Sequence, residues 1–161
     1  MIRSMQFVLL ALCLACAATA HAAPQLNQPA PRVDTELISG KLLHAKELEG
    51  RPVMVFFWAT WCSTCAREMP EIQRLYNTYK GKGFEILAIS LDEDPAEVAA
   101  FWKEKGYTFP LAMYTDSSKK IWGSVPATPQ MILIDRKGIV RMKSLGAISY
   151  EEREALIKPL L

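Results

Sequence analysis

An apolar run followed at once by two cysteines decides the fold of this chain: Val53-Met54-Val55-Phe56-Phe57-Trp58-Ala59-Thr60-Trp61-Cys62-Ser63-Thr64-Cys65. The unbroken apolar residues Val53 to Trp58 predict a strand that is buried on both faces. The residues after Cys62 predict a helix over about 63–80, because its apolar residues recur at the spacing of one helix face. The two cysteines therefore stand where a buried strand turns into a helix.

That position gives the two thiols different chemistry. The free N–H groups and the positive dipole end of a helix start stabilise an anion, so a cysteine there loses its proton below the usual pKa of about 8.5. Cys62 is the predicted nucleophile. Cys65 lies one turn further along the same side of the helix, where it can close a disulfide with Cys62 or attack a mixed disulfide on it. The spacing predicts a dithiol switch.

The first 22 residues have the pattern of a secretory signal. Arg3 supplies a basic start, an apolar run covers Phe7 to Ala18, and Ala20-His21-Ala22 favours cleavage after Ala22. The apolar run is too short for a comfortable membrane span. In an alternative interpretation Cys16 carries a lipid and anchors the protein to a membrane, although Cys13 stands where such signals usually have Leu. We expect an exported protein that is periplasmic, in contact with a membrane only if Cys16 is lipidated.

The chain after the signal, 139 of the 161 residues, has the size of one domain. Arg3 leaves with the signal, so 18 Lys and Arg remain against 17 Asp and Glu, for a net charge of +1. This balance and the lack of a basic stripe argue against nucleic acid as a partner. Cys62 and Cys65 are then the remaining cysteines, and a disulfide closing so small a loop would stabilise the fold little. The pair is better explained by redox chemistry.

The rest of the chain alternates strand and helix patterns. An extended lead-in covers 23–31, and a single domain covers 32–161. The predicted elements of that domain, in order, are strands at 33–38 and 41–44 in a hairpin, a helical turn at 46–48, the strand and helix already described, a strand at 84–91, a helix from the Asp94 cap to Gly106, a strand at 109–113, a helix at 116–122, strands at 130–134 and 139–145, and a helix from Ser149. Arg141 and Lys143 mark 139–145 as a charged sheet edge. The pattern predicts an α/β fold with a mixed central sheet.

Several of these motifs are those of one family. With Phe57 to Cys65, with Glu68 and Pro70 just after it, and with Thr128-Pro129 ahead of the strand at 130–134, the chain resembles the exported TlpA/ResA/DsbE group of thiol-disulfide oxidoreductases. The resemblance implies a thioredoxin fold, a mixed sheet flanked by helices, with an N-terminal hairpin and an extra helix and strand inserted between Pro95 and Met113.

The resemblance also implies a substrate-binding surface around the cysteines. Pro129 would follow a cis peptide bond, and Thr128-Pro129, not Val125-Pro126, is the predicted cis pair because it immediately precedes a strand. The backbone of Thr128 would pair with the substrate chain as a short added strand. The predicted substrate-binding residues are Trp61, Ser63, Thr64, Thr128 and Pro129. Trp58 is expected either to pack at the rim around the cysteines or to stack against a substrate, and Trp102 and Trp122 are expected to have packing roles.

A proton acceptor is predicted at Glu68. Thioredoxin has a buried Asp six residues before its first cysteine, and this chain has Phe56 there. The resemblance points to Glu68 instead. Three residues after Cys65, its carboxyl would lie one turn away, where burial should raise its pKa. The alternative is a solvated Glu on the helix surface.

The resemblance implies a protein-disulfide oxidoreductase without a cofactor, which acts on disulfide-bearing proteins such as apocytochromes and is re-reduced by a membrane electron donor of the CcdA or DsbD kind. Ser63-Thr64 differs from the pairs familiar in relatives, and this pair tunes the potential, so the direction stays open; we favour a reductase. Copper(I) binding by the two thiolates is the alternative function. A zinc site would lack ligands, since His44 is the one histidine after the signal. A peroxidase of the peroxiredoxin type is not supported either, because Val55 and Ala59 stand where that site needs Pro and Thr or Ser.

Overall fold

A computed structural model describes residues 23–161 of the chain. The predicted signal peptide, 1–22, lies outside the described residues. The strands are β1 (Thr35–Glu36), β2 (Leu42–Leu43), β3 (Val53–Trp58), β4 (Glu85–Ser90), β5 (Leu111–Met113), β6 (Gln130–Ile134) and β7 (Val140–Leu145). The α-helices are α1 (Ser63–Tyr79), α2 (Pro95–Lys105), α3 (Asp116–Trp122) and α4 (Tyr150–Ile157), and short 3-10 turns cover Ala45–Leu48, Lys80–Lys82 and Lys158–Leu160.

Five of the strands form one mixed sheet, in the order β5-β4-β3-β6-β7. β3, β4 and β5 are parallel, while β6 runs antiparallel to β3 and β7 antiparallel to β6. β3 is the central strand, and all of its residues are buried. The predicted mixed sheet is therefore confirmed, with the cysteine-bearing turn at the carboxyl end of its central strand.

The side chains of β3 contribute to two separate core layers, one on each face of the sheet. Met54, Phe56 and Trp58 face the layer that contains the buried side of α1, with Met69 and Ile72. The alternate residues Val53, Val55 and Phe57 face a second layer that contains Trp122 of α3. Because successive side chains of a strand point to opposite faces, a strand covered on both sides must be apolar throughout.

The small sheet of β1 and β2 is antiparallel, as predicted, but each strand has only two residues. The predicted strands at 33–38 and 41–44 are longer than this. The N–H group of Ile38 donates to Leu111 O on β5, 2.9 Å away, and His44 caps the turn Ala45–Leu48. These contacts draw both ends of the hairpin away from its own ladder.

The lead-in, 23–31, runs along the outer edge of β7. The N–H groups of Asn27 and Ala30 donate to the carbonyls of Val140 and Gly138, each 2.8 Å away. Arg141 Nη1 donates to Asn27 Oδ1 (3.4 Å), and Lys143 Nζ donates to the carbonyl of Pro24 (2.9 Å). The two cations predicted to protect a free edge instead bind the segment that covers it.

The helices begin and end at residues that cap them. Asp94 accepts from Ala96 N (2.8 Å) at the start of α2, which ends at Gly106 with a left-handed backbone, φ +69°. Pro70 lies inside α1, as expected. On α2, Val98 is buried, while Phe101 and Trp102 are half-buried and pack against the core. In residues 23–161, none of the helices combines the length and apolar character needed to cross a lipid bilayer.

Candidate active site

Cys62 and Cys65 are joined by a disulfide at the start of α1. Cys62 is the residue that caps the helix, and its Sγ accepts a hydrogen bond from the N–H of Cys65 at 3.1 Å. Its side of the pair reaches the surface, since Cys62 is 7% exposed and Cys65 is 0% exposed. Only one of the two sulfurs can therefore meet an incoming protein, and it is the one at the positive end of the helix.

Three of the predicted substrate-binding residues surround the exposed side of the disulfide. Trp61 is 68% exposed, although it follows a strand that is wholly buried. Ser63 is exposed, and Thr64 is half-buried with its Oγ1 accepting from Arg67 Nη2 at 3.1 Å. An exposed indole beside a reactive sulfur offers a large apolar contact with one polar group.

The other three tryptophans pack. Trp58 is fully buried and its ring lies 5.4 Å from each of the rings of Phe101 and Trp102. Trp122 is buried against Phe57. Trp102 is half-buried and contacts Phe109 edge-on. The packing predicted for Trp102 and Trp122 is confirmed, whereas Trp58, expected at the rim of the cysteine site, is instead a fully buried core residue.

The peptide bond between Thr128 and Pro129 is cis and leads directly into β6, as predicted. Pro129 is buried and Thr128 is half-buried. The carbonyl of Pro129 accepts from the N–H of Gly146 at 2.8 Å, just beyond β7. Since Gln130, the first residue of β6, pairs with Phe57 near the end of β3, the cis bond lies at the same end of the sheet as the cysteines.

A buried carboxylate that was not predicted holds the backbone just before Trp61. Asp92, two residues beyond β4, accepts from the N–H of Thr60 at 3.0 and 3.2 Å and from Thr60 Oγ1 at 2.6 Å. Ser90 Oγ also donates to it at 2.5 Å. Four donor contacts on a buried acidic side chain fix the turn that leads to Cys62. One signal in the sequence could have identified it, an Asp just after the carboxyl end of the strand parallel to β3.

Glu68 is buried, so the alternative of a solvated Glu on the helix surface is wrong. Its Oε1 accepts from the N–H of Ile148 at 3.1 Å and from the guanidinium of Arg153. Burial raises the pKa of Glu68 above its ordinary value, and the charge of Arg153 and the hydrogen bond from Ile148 only partly oppose this. A raised pKa for Glu68 is what the sequence predicted. Arg153 was not predicted to be near the site.

Metal ligands are not gathered at this site. Within residues 23–161, no three His, Cys, Asp or Glu side chains are grouped closely enough to hold an ion. His44 lies at the hairpin, where its Nδ1 is 2.9 Å from Asp34 Oδ2 and its backbone is capped by Glu47. His44 therefore has a structural explanation of its own.

Comparison with known proteins agrees with this geometry. The sequence pattern of the family described as Redoxin matches residues 25–156. The chain belongs to the Redoxin family. Among its members, the thiol-disulfide oxidoreductase ResA of Bacillus anthracis is 36% identical over 138 residues, which cover 84% of this chain and 79% of that protein. ResA of Halalkalibacterium halodurans is 35% identical over 127 residues, covering 77% of this chain and 72% of its own.

Solved structures of other proteins have the same fold as this Redoxin-family chain. A thiol:disulfide interchange protein of the thioredoxin family from Chlorobium tepidum superimposes with a TM-score of 0.79 at 26% identity, over 86% of this chain and 99% of its own. StoA from Bacillus subtilis, at 20% identity and a TM-score of 0.66 over 80% and 98% of the two chains, shares the fold. The predicted thioredoxin fold and the resemblance to the ResA and DsbE type are confirmed, and the protein is a protein-disulfide oxidoreductase.

Proposed function

We propose that this protein is an exported reductase of protein disulfides that acts through Cys62 and Cys65 and serves cytochrome c maturation or a related process. The observation that carries the proposal is the difference between the two sulfurs. Cys62, at the helix start, keeps 7% of its surface exposed, whereas Cys65 beside it is fully buried with Glu68 one turn further on. An accessible attacking thiol and an inaccessible resolving thiol are what two-step disulfide exchange requires.

In the first step the Cys62 thiolate attacks one sulfur of a substrate disulfide. A bond forms between Cys62 and that sulfur, the substrate disulfide breaks, and the other substrate sulfur leaves as a thiolate and takes a proton from water. The N–H of Cys65 and the start of α1 stabilise the attacking anion.

In the second step the Cys65 thiol gives its proton to Glu68 and attacks Cys62. The Cys62–Cys65 disulfide forms as the mixed disulfide breaks, and the substrate sulfur leaves as a thiolate that takes a proton from water, so both substrate sulfurs end as thiols. The substrate gains two electrons and the protein loses two, which leaves the protein in the disulfide-bonded state described here. A membrane electron donor of the CcdA or DsbD kind would restore the dithiol.

The substrate would bind across the exposed side of the pair. Trp61, Ser63 and Thr64 line one side of Cys62, and the half-buried backbone at Thr128-Pro129 would pair with an extended substrate segment. An apocytochrome with its own pair of cysteines is a substrate of suitable form. Action outside the cytoplasm is supported by the ResA relatives and by the signal pattern predicted at 1–22. If the protein is instead a lipoprotein, Cys16 would carry the lipid that anchors it to the membrane.

The proposal is tested by trapping substrates in cells. Cys65→Ser should leave mixed disulfides on Cys62, because the second step is blocked. Cys62→Ser is the matched control and should trap none. We expect apocytochrome c among the trapped proteins; a set without any cytochrome would refute that substrate, and an empty set would refute reductase activity.

Copper(I) is the alternative occupant of the two thiolates, and a second measurement separates it. The reduced protein is purified and assayed both for bound copper and for reduction of insulin disulfides. Turnover of insulin without copper supports the reductase. Stoichiometric copper without turnover supports a copper carrier. The reduction potential, measured against glutathione, then tests the direction of exchange, since a strongly oxidising value would contradict a reductase.

A further inference from the structure

We propose that Arg153 is a positioning residue for the second step of the exchange: it holds Glu68 through Oε1 and leaves Oε2 as the oxygen that accepts the proton of Cys65. This inference rests on the proposed function of Glu68. It adds a residue from the last helix, 85 positions away along the chain, to the machinery around the cysteines.

Arg153 is an unusual arginine because it is buried. Its exposed fraction is 1%, and that of Glu68, which it contacts, is 6%. Arg153 Nη2 donates to Glu68 Oε1 and also to the carbonyl of Ile148 at 3.0 Å. The N–H of Ile148 donates to the same Glu68 Oε1 at 3.1 Å. The guanidinium, the carboxylate and the backbone of one residue in the loop before α4 therefore form a closed set of three contacts.

These contacts make the two oxygens of Glu68 unequal. Oε1 receives two donors, one of them charged, while Oε2 is buried and has no hydrogen-bond partner within residues 23–161. A proton added to the carboxyl goes to the oxygen that is not already occupied by donors. Because Glu68 lies three residues after Cys65 on α1, Oε2 is the oxygen available to that thiol.

The charge of Arg153 also keeps this carboxyl usable as a base. Burial favours the protonated form of Glu68, and Glu71, on the same helix, adds to that effect. Arg153, on α4, and the Ile148 N–H act in the opposite direction. Arg153 Nη1 also lies 3.9 Å from Glu71 Oε2. Without the guanidinium, the Glu68 carboxyl would hold its proton to a higher pH and would be a poorer acceptor for the proton of Cys65.

The same arginine reaches the neighbourhood of the substrate-binding bond. Its second acceptor is the carbonyl of Ile148, and two residues earlier the N–H of Gly146 donates to the carbonyl of Pro129. One short segment therefore contacts both the Glu68 pair and the cis bond. A change at Arg153 is expected to act on the proton step and also, more weakly, on substrate affinity.

The experiment follows the second step alone. Reduced protein is converted to a mixed disulfide between Cys62 and thionitrobenzoate, and the release of thionitrobenzoate by Cys65 is recorded as a function of pH. Arg153→Met keeps a long side chain without charge. We expect the midpoint of the pH profile to move to higher pH and release at neutral pH to slow by about tenfold, the effect of one pKa unit. Arg153→Lys keeps the charge and should restore part of the rate.

Two controls separate a positioning role from a structural one. Arg74→Met removes an exposed arginine that also lies between α1 and α4, with its guanidinium 4.4 Å from the Tyr150 ring centre, and should leave the profile unchanged. Adding Arg153→Met to Glu68→Gln removes both buried charges, and this double variant should have the same profile as Glu68→Gln alone.

A folded Arg153→Met variant with an unshifted profile would overturn the inference, and so would an equal shift in the Glu68→Gln background. If Arg153→Met does not fold, the inference is tested with two other pairs of pH profiles. The first pair is Arg153→Lys and the wild type, and the second is the double variant and Glu68→Gln. An unshifted Arg153→Lys profile, or a shifted double-variant profile, would then overturn it. The assay uses the purified protein and a small thiol reagent, so its result is independent of whether trapping in cells identifies a substrate.

Discussion

The contact between Thr60 and Asp92 gives the sharpest test of how the turn before Cys62 is held. Thr60→Val replaces a hydroxyl by a methyl group of similar size and removes the 2.6 Å hydrogen bond to Asp92 Oδ1. The N–H of Thr60 still reaches the same carboxylate. The variant therefore removes one donor of the four contacts on Asp92 and leaves the backbone contacts in place.

The expected loss follows from the charge of the acceptor. A hydrogen bond to a charged group contributes about 1.5–3 kcal/mol to stability, compared with about 1 kcal/mol for a neutral pair. Thr60 is half-buried, so water competes for its hydroxyl and the lower end applies. We expect the free energy of unfolding of the oxidised protein to fall by about 1.5 kcal/mol, roughly a tenfold change in the unfolding equilibrium.

The measurement is urea unfolding of the disulfide-bonded protein, with Thr60→Ser as the matched control because it keeps the hydroxyl. Asp92→Asn should lower the free energy of unfolding more than Thr60→Val does. Each oxygen of the Asp92 carboxylate accepts two hydrogen bonds, and the asparagine would place an NH₂ donor at one of these positions. In the reduced protein, the alkylation rate of Cys62 reports whether the turn still presents that thiol. Equal stability of the valine and serine variants, within about 0.5 kcal/mol, would refute the reasoning.

Three further predictions concern stability and are measured by urea unfolding. Burial alone would raise the pKa of Asp135, but its hydrogen bonds and a neighbouring guanidinium hold that pKa below the ordinary value. Asp135→Asn should therefore cost about 1–2 kcal/mol at pH 7. That difference should shrink as the pH falls through the lowered pKa, and a difference independent of pH would contradict it. Gly123→Ala should lower the free energy of unfolding by about 1–3 kcal/mol and make the lead-in more sensitive to proteolysis. The reason is that Gly123 has φ +78° and an added Cβ would lie 2.4 Å from the Cβ of Ala23. Unchanged stability and unchanged proteolysis would refute this. Met69→Ala, at a fully buried position, should cost about 2–5 kcal/mol, and a loss below 1 kcal/mol would show that the core collapses around it.

The elements that could be predicted are those with signals inside their own sequence. The predicted bounds of α3 and β6, 116–122 and 130–134, are those of the structure. Thr115 caps α3 and Gly123 ends it, and β6 is a short apolar run that stops at Asp135. The start of α1 at the cysteines was predictable for the same reason. Local chemistry fixes these boundaries, so neighbouring residues suffice to find them.

What was missed depends on contacts between distant parts of the chain. Arg153 stands among Glu151, Glu152 and Glu154 on α4, a pattern typical of a solvated helix face with surface ion pairs. Its burial follows from the packing of α4 on α1, which the sequence of α4 does not encode by itself. Asp92 reaches Thr60 across 32 residues for the same kind of reason. Buried polar groups are decided by the tertiary fold, whereas helix caps and apolar runs are decided locally.

The placement of the acidic group explains why the last helix contacts Glu68. Thioredoxin has an Asp on the strand at the position of Phe56, which here is part of the apolar layer beneath α1. The resemblance to the TlpA/ResA/DsbE group therefore predicts the proton acceptor on α1, at Glu68. An acidic group moved to that side of α1 is buried too, and a buried carboxylate needs an opposite charge close by. Here that charge is Arg153, which only α4 supplies. If Glu68 takes the proton of Cys65, shortening the chain before α4 changes the pKa of Glu68 as well as the stability of the fold. Such a truncated protein, if it still folds, should attack substrates through Cys62 at the normal rate and yet release them slowly at neutral pH.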